Sequence, residues 1–169
     1  MTNRTILSST FALGLLCAAA NTAAKIPTAP LALGSEASAT ALAELKAEGL
    51  PDPGQNPQTL NAHGYKALYA DGDIERAIRI FRWNLVLFAD QPTAAADLND
   101  SLAEGYVIAG DRAQAIHYYG QALAIMPNIP SDPDAASRLA RLKADAKNLG
   151  ILQDELSAAW RVSVRGESK

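Results

Sequence analysis

The chain has 169 residues, with 15 Lys and Arg against 18 Asp and Glu, so its formal net charge at neutral pH is −3. A mildly acidic chain without a Lys/Arg cluster argues against nucleic acid or an anionic membrane surface as the main partner. The length is enough for one domain with a substantial hydrophobic core.

The N-terminus has the pattern of a secretory signal peptide. Arg4 precedes an apolar, small-residue run from Ile6 to Ala20, which is shorter than the roughly 20 residues that span a bilayer comfortably. Small residues at 18–20 and 22–24 offer the pattern that signal peptidase recognises. We therefore expect residues 1–24 to be removed on export to the periplasm or the medium. An uncleaved amphipathic anchor is the alternative.

The single cysteine, Cys17, falls within this signal. Lipid attachment generally needs a small residue just before the cysteine, and Leu16 occupies that place. We expect Cys17 to leave with the signal, so that the exported chain has no disulfide and no integral membrane segment.

Two segments precede the main helical region. Residues 25–35 contain Pro27, Pro30 and Gly34 and are expected to form an extended lead-in. A helix is expected from Ala39 to Glu48, and four Pro and Gly residues then predict a loop over 51–57.

From residue 60 onward the chain matches itself at a spacing of 38 residues. The matched pairs are Leu60 with Leu98, Asn61 with Asn99, Gly72 with Gly110, Asp73 with Asp111, Ala77 with Ala115, Ile78 with Ile116, Phe81 with Tyr119 and Leu85 with Leu123. A fixed period of this kind is typical of stacked helical hairpins, because one hairpin cannot bury its apolar face alone. The sequence predicts an all-α fold, a short α-solenoid of two helix–turn–helix repeats with flanking capping helices.

The helical domain is predicted over 36–162, with repeats over about 58–92 and 96–129, capping helices over 132–162 and a loose tail over 163–169. The four repeat helices are expected at Pro57 to Ala70, Ile74 to Ala89, Ala94 to Ala109 and Arg112 to Met126. In each turn a glycine should adopt the left-handed conformation and the next aspartate should cap the second helix. We expect Ala77 and Ala115 where the paired helices approach most closely.

These residues resemble the tetratricopeptide repeat (TPR), a 34-residue helix–turn–helix unit. The runs that carry the likeness are Leu60-Asn61-x-x-Gly64-Tyr65, Ala77-Ile78-x-x-Phe81-x-x-Asn84 and Asp100-Ser101-Leu102-x-Glu104-x-Tyr106. They are similar in particular to the small TPR module at the C-terminus of many exported bacterial serine hydrolases of the β-lactamase type. The likeness covers about residues 39–147. Four extra residues separate the repeats, and an added turn on the second helix of the first repeat or on the first helix of the second would absorb them.

The resemblance implies a non-catalytic exported scaffold that binds a protein or peptide. The sequence has no Ser-x-x-Lys or Gly-x-Ser-x-Gly, and no metal or cofactor motif is recognised. The resemblance places Ser101 on a scaffold helix. His63 and His117 lie on different helix types in different repeats, so we expect them not to share a metal, and we expect no bound cofactor. The alternatives are an accessory module of a split serine hydrolase, acting with a separate catalytic chain, and a lone enzyme of unknown type.

The resemblance also places a partner-binding groove on the first helix of each repeat. The groove residues it implies are Thr59, Ala62, His63, Lys66, Tyr69, Asp97, Asp100, Glu104 and Ile108. Asp97, Asp100 and Glu104 are spaced by three and four and so share one helix face. They are predicted to receive a basic or amide-rich peptide; alternatively, they complement the helix dipole and keep this surface hydrated.

The helix predicted from Ile74 has an unusually wide apolar arc. Ile80, Trp83 and Leu87, again spaced by three and four, extend it beyond the core face. Something must cover this patch: the chain's own N-terminal helix or lead-in, a second copy in a homodimer, or a different protein.

Overall fold

The computed structural model describes residues 26–126 and, beyond them, Ser137, Ala140, Lys143, Ala144 and Lys147. The predicted signal peptide, most of the capping helices over 132–162 and the tail lie outside the described residues. Within the described part the chain is all helical, which confirms the predicted fold class. No helix of this part is both long and apolar enough to cross a bilayer.

Five α-helices follow one another within residues 26–126. They are α1 (Ser35–Ala47), α2 (Pro57–Tyr65), α3 (Ile74–Phe88), α4 (Pro92–Ile108) and α5 (Arg112–Ile125). The segment predicted as one helix from Pro57 to Ala70 is helical throughout, but it is not α-helical to its end. Lys66–Asp71 form a π-helical turn that directly follows α2. π-helical turns are rare in proteins, and many of those that do occur lie at functional sites.

The two tight turns have the predicted chemistry. Gly72 and Gly110 adopt left-handed φ values of 68° and 78°, which a side chain would strain. Asp73 and Asp111 then cap α3 and α5, each accepting a hydrogen bond from a backbone N–H three residues on, at 3.0 and 3.1 Å. The capping and the glycine conformation predicted from the sequence are thus confirmed.

The helices pack in chain order, α2 on α3, α3 on α4 and α4 on α5. The alanines at the predicted close approaches, Ala77 and Ala115, are fully buried. Phe81 is also fully buried, and Tyr119 is 2% exposed. Small residues allow the helix backbones to approach, and the rings fill the space beside them. The organisation of the two hairpins as repeats of one solenoid stays a prediction.

Two helices begin earlier than predicted. α4 begins at Pro92 rather than Ala94, and α1 at Ser35 rather than Ala39. Proline is favoured in the first turn of a helix because its missing N–H would have no partner there. α4 thus begins three residues before Ala95, which lies 38 residues after Pro57 at the start of α2.

The lead-in forms an extended N-terminal strap, residues 26–33, which crosses α3, α4 and α5. The Arg82 guanidinium of α3 donates to the Ala29 carbonyl at 2.6 Å, and the Tyr106 hydroxyl of α4 donates to the Pro27 carbonyl. Ile26 and Leu31 pack against the core. The strap is thus joined to the helical body by both polar and apolar contacts.

The predicted apolar patch on α3 is covered by the chain's own N-terminal part. Ile80 is 1% exposed, and Trp83 and Leu87 are half-buried. α1 packs on α3, and the Trp83 indole N–H donates to the Glu44 carboxylate at 2.5 Å. Of the three covers considered, the structure places the N-terminal helix on this patch.

Candidate functional site

A chain of hydrogen-bonded side chains joins α2 to α4 on one face of the domain. This hydroxyl cluster comprises Asn61 and Tyr65 of α2, Tyr69 of the π turn, and Ser101 and Glu104 of α4. The α2 and π-turn members are spaced by four residues and the α4 members by three, so each set lies on one helix face.

Glu104 is the centre of the cluster. The Tyr65 hydroxyl donates to Glu104 Oε2 at 3.0 Å, and the Tyr69 hydroxyl donates to Glu104 Oε1. Ser101 Oγ lies 3.1 Å from the Tyr65 hydroxyl and 3.1 Å from Asn61 Oδ1. One carboxylate is therefore fixed by two phenols from the neighbouring helix.

The two tyrosine rings form a stack that begins in the core and ends in solvent. The rings of Tyr65 and Tyr69 are stacked at 6.1 Å with an interplanar angle of 6°. On its other side Tyr65 makes an edge contact with Phe81, at a centroid distance of 5.1 Å. Tyr69 is 62% exposed, so the stack presents one aromatic face outward while its base is held by the core.

Burial and the Glu104 carboxylate both raise the pKa values of the Tyr65 and Tyr69 phenols. Loss of solvation is the main cause that raises the pKa of Tyr65 above its usual value, and Glu104 raises it further. The same two effects raise the pKa of Tyr69 to about 12. Both hydroxyls stay protonated, and hence remain donors, well above neutral pH.

We expect the domain to lose stability in alkali in a way that depends on this cluster. Phenols of the unfolded chain ionise near pH 10, whereas those of the folded chain keep their protons to higher pH. The stabilisation is therefore complete below about pH 10 and is lost as the pH rises towards 12. Denaturant unfolding over this range should show the loss, and a Tyr69→Phe variant should show a smaller one. An identical alkaline loss in both proteins would contradict the assignment.

The structure brings some of the nine predicted groove residues together and separates others. Tyr69 and Glu104 meet in the hydroxyl cluster, and Ile108, 41% exposed, lies one turn beyond Glu104 on the same face of α4. Lys66 pairs with Asp71 at 2.8 Å on the surface. Ala62 is exposed, and Thr59 and His63 are half-buried.

The three predicted acids do not form an open stripe in the described part of the chain. Asp100 is only 6% exposed, Asp97 is half-buried, and both have interaction partners. Glu104 accepts from two phenols. A buried carboxylate is available to a partner only after its own contacts are broken, so we base the candidate site on Glu104 rather than on all three acids.

Sequence reasoning missed Asn61, Tyr65 and Ser101 as members of the site. Tyr65 and Ser101 belong to the runs that resemble the TPR, and Ser101 was expected to be a scaffold residue. Asn61 matches Asn99 in the 38-residue register, and the register indicates packing rather than exposure. The available signal was the spacing of Asn61, Tyr65 and Tyr69, which places three hydrogen-bonding side chains on one face.

The contacts of Ser101 hold it within the hydroxyl cluster. Its Oγ contacts the amide oxygen of Asn61, the phenol of Tyr65 and the Asp97 carbonyl. Of these three groups only the phenol can act as a base, and the raised pKa of Tyr65 keeps it protonated at neutral pH. Among the residues described, no group of three His, Cys, Asp or Glu is placed to hold a metal ion.

Comparisons of the chain with protein-family models, with curated proteins and with solved structures give no match. Arguments about function therefore depend on the residues and on the geometry given above.

Proposed function

We propose that this chain is a non-catalytic, exported scaffold that binds a protein or peptide through the face formed by α2, the π turn and α4. The observation that carries the proposal is the hydroxyl cluster, in which an exposed tyrosine and a carboxylate are held in a fixed relation by buried neighbours. The exposed side chains of Tyr69 and Ile108 supply the apolar part of this face beside Glu104.

Pre-ordering favours binding at this face. Tyr69 is stacked on Tyr65, which in turn contacts the core, so the aromatic side chain has little rotamer freedom left to lose when a partner binds. Aromatic side chains that are fixed in this way are common among the residues that dominate binding energy. The face thus has the features of an anchor rather than of a uniformly hydrated surface.

The chemistry of the face favours a particular kind of partner. A carboxylate has about four acceptor positions, and two phenols occupy one on each oxygen of Glu104. The remaining positions suit N–H donors, and the exposed tyrosine ring suits an apolar or cationic side chain. The partner we propose is a basic or amide-rich segment that carries an apolar side chain beside its N–H donors.

Site-specific photo-crosslinking in the native envelope tests this function. A photoreactive residue replaces Tyr69 in one variant and exposed Ala113 of α5 in a control. We expect a discrete crosslinked partner from position 69 and none from position 113, identified by mass spectrometry. Equal crosslinking at the two positions would contradict a specific face.

Binding of the purified partner should then depend on the anchor. We expect Tyr69→Ala to weaken the affinity by about tenfold or more, as at other aromatic anchors, with Ala113→Ser as the unaffected control. Hydrolysis of an ester or β-lactam after the partner is added would instead favour the accessory module of a split hydrolase.

A further inference from the structure

The strap is held through its backbone by three helices. Three successive carbonyls accept hydrogen bonds from the body: Pro27 from the Tyr106 hydroxyl, Thr28 from the Gln114 amide at 3.5 Å, and Ala29 from Arg82 at 2.6 Å. These donors belong to α4, α5 and α3 in that order. The body therefore holds the strap through three backbone carbonyls, in addition to the packing of Ile26 and Leu31 on the core.

The strap has the composition of a polyproline II segment. Pro27 and Pro30 are three residues apart, which is one turn of that helix. Proline has no N–H, so such a segment offers more carbonyls than N–H groups, and a surface that presents hydrogen-bond donors suits it. Grooves that bind Pro-x-x-Pro peptides combine such donors with aromatic walls.

The surface beneath the strap has both properties. The rings of Tyr106 and Tyr118 are stacked at 5.4 Å with an interplanar angle of 3°. Arg82 lies against both phenols, with Nη1 3.3 Å from the Tyr106 hydroxyl and 3.4 Å from the Tyr118 hydroxyl. The guanidinium thus positions the hydroxyl that binds Pro27 while it binds Ala29 itself.

The strap does not fill this groove. A cavity of about 490 Å³ remains beside it, lined by Pro30 and Leu33 of the strap, Leu85 of α3, and Tyr118 and Ile125 of α5. The polar side chains of Asn99, Gln114 and His117 also line this cavity, and Leu33 is 61% exposed although it borders it. A peptide with larger side chains at these places would bury more apolar surface than the strap does.

We propose that this groove is a second peptide-binding site, specific for extended segments with two prolines three residues apart, and that the strap is its tethered competitor. The site is distinct from the hydroxyl cluster. At about 100° per residue along α4, Tyr106 and Leu102 point to the side opposite Ser101 and Glu104. The proposal is therefore independent of the function proposed for the α2–α4 face.

A labelled peptide with the strap sequence IPTAPLAL is the probe, and fluorescence anisotropy with the full exported chain is the measurement. A short tether holds the strap at an effective concentration on the order of millimolar, so we expect weak binding to the unaltered chain. A Pro27→Gly/Pro30→Gly variant weakens the competitor and leaves the groove intact. We expect it to bind the peptide at least about tenfold more tightly.

Two controls test whether binding depends on the prolines of the peptide and on the hydrogen-bond donors of the groove. A peptide with both prolines replaced by alanine should bind at least about tenfold more weakly than the probe. In the double-glycine background, Tyr106→Phe removes the donor to the first carbonyl and should also weaken binding. If the double-glycine variant melts as the unaltered chain does but binds the peptide no more tightly, or if the alanine peptide binds equally well, the proposal is wrong.

A second measurement keeps the strap prolines and detects displacement directly. In a Cys17→Ser background, a Leu31→Cys variant places a thiol on the half-buried part of the strap, and Ala113→Cys places one on exposed α5 as a control. Saturating peptide should accelerate thiol labelling at position 31 severalfold and leave position 113 unchanged. Unchanged labelling at position 31 under saturating peptide would overturn the proposal even if the double-glycine variant fails to fold.

Discussion

Gly64→Ala is expected to lower the free energy of unfolding by about 2 kcal/mol, although alanine is the better helix former. A Cβ at Gly64 would lie less than 3 Å from three atoms of the Phe81 ring. Phe81 is fully buried and packs edge-on against Tyr65, so its ring has no free space to enter. Overpacking costs about 1–3 kcal/mol, and three contacts below 3 Å place this substitution at the upper end of that range. About 2 kcal/mol of loss therefore remains after the gain of up to about 1 kcal/mol from helix propensity.

Gly105→Ala on α4 is the matched control. There the added Cβ would make one tight contact, with Ile78 Cγ1 at 3.1 Å, and ordinary contacts at 3.8 Å with Ile78 Cδ1 and Phe81 Cδ2. The gain in propensity roughly balances the tight contact. Chemical denaturation of both variants measures the difference. In a double-mutant cycle, Phe81→Leu should cost less in the Gly64→Ala background than alone, because the smaller side chain relieves the clash. Equal losses for the two glycine variants would show that α2 and α3 are less closely packed than described.

Asn84→Asp is expected to cost about 3–5 kcal/mol at neutral pH. Asn84 is fully buried on α3, and its Nδ2 donates to the Pro57 carbonyl at 2.8 Å, which ties α3 to the start of α2. Its Oδ1 has no hydrogen-bond partner among the described residues. The carboxylate of the variant would lose the donor and place an unpaired charge in the core, and each effect is strongly unfavourable.

The cost of Asn84→Asp should depend on pH in a defined direction. Burial raises the pKa of the introduced carboxyl above its unfolded value of about 3.9. Below about pH 4 the group is neutral in both states and can again donate to Pro57. Above it, stability falls by about 1.4 kcal/mol per pH unit until the folded-state pKa is reached.

Asn56→Asp supplies the control for Asn84→Asp. The exposed Asn56 side chain caps the start of α2 by accepting a hydrogen bond from the Gln58 N–H at 3.0 Å. A carboxylate accepts this hydrogen bond equally well. Denaturant unfolding near pH 4 and pH 7 should show a large change for position 84 and little for position 56. A flat pH response at position 84 would mean that water reaches the side chain.

The helices of this domain were largely predictable because their signals are local. Asp73 and Asp111 follow a glycine and precede an apolar-periodic run, and both cap as expected. The apolar positions on α3 specify its buried face, and Ile78 and Phe81 are fully buried. Such signals depend on backbone sterics and helical periodicity, which the sequence contains explicitly.

The functional faces were less predictable because they depend on contacts distant in sequence. The hydrogen bond between Tyr65 and Glu104 joins residues 39 positions apart in sequence, and the one between Pro27 and Tyr106 joins residues 79 positions apart. The π turn at Lys66–Asp71 has no recognised sequence signature, yet it sets where Tyr69 points. The burial of Asp100 likewise depends on tertiary neighbours rather than on the spacing of the acids.

The central position of α4 has a thermodynamic consequence. Glu104 and Tyr106 are two residues apart in sequence, yet they belong to hydrogen-bonded clusters on opposite sides of α4. A rotation of α4 about its axis would therefore move both residues. If a ligand at either side favours one orientation of α4, each ligand must alter the affinity for the other by the same factor. Titrating one peptide at fixed occupancy of the other would measure that reciprocity, and its sign would reveal whether this module senses two partners jointly or excludes one of them.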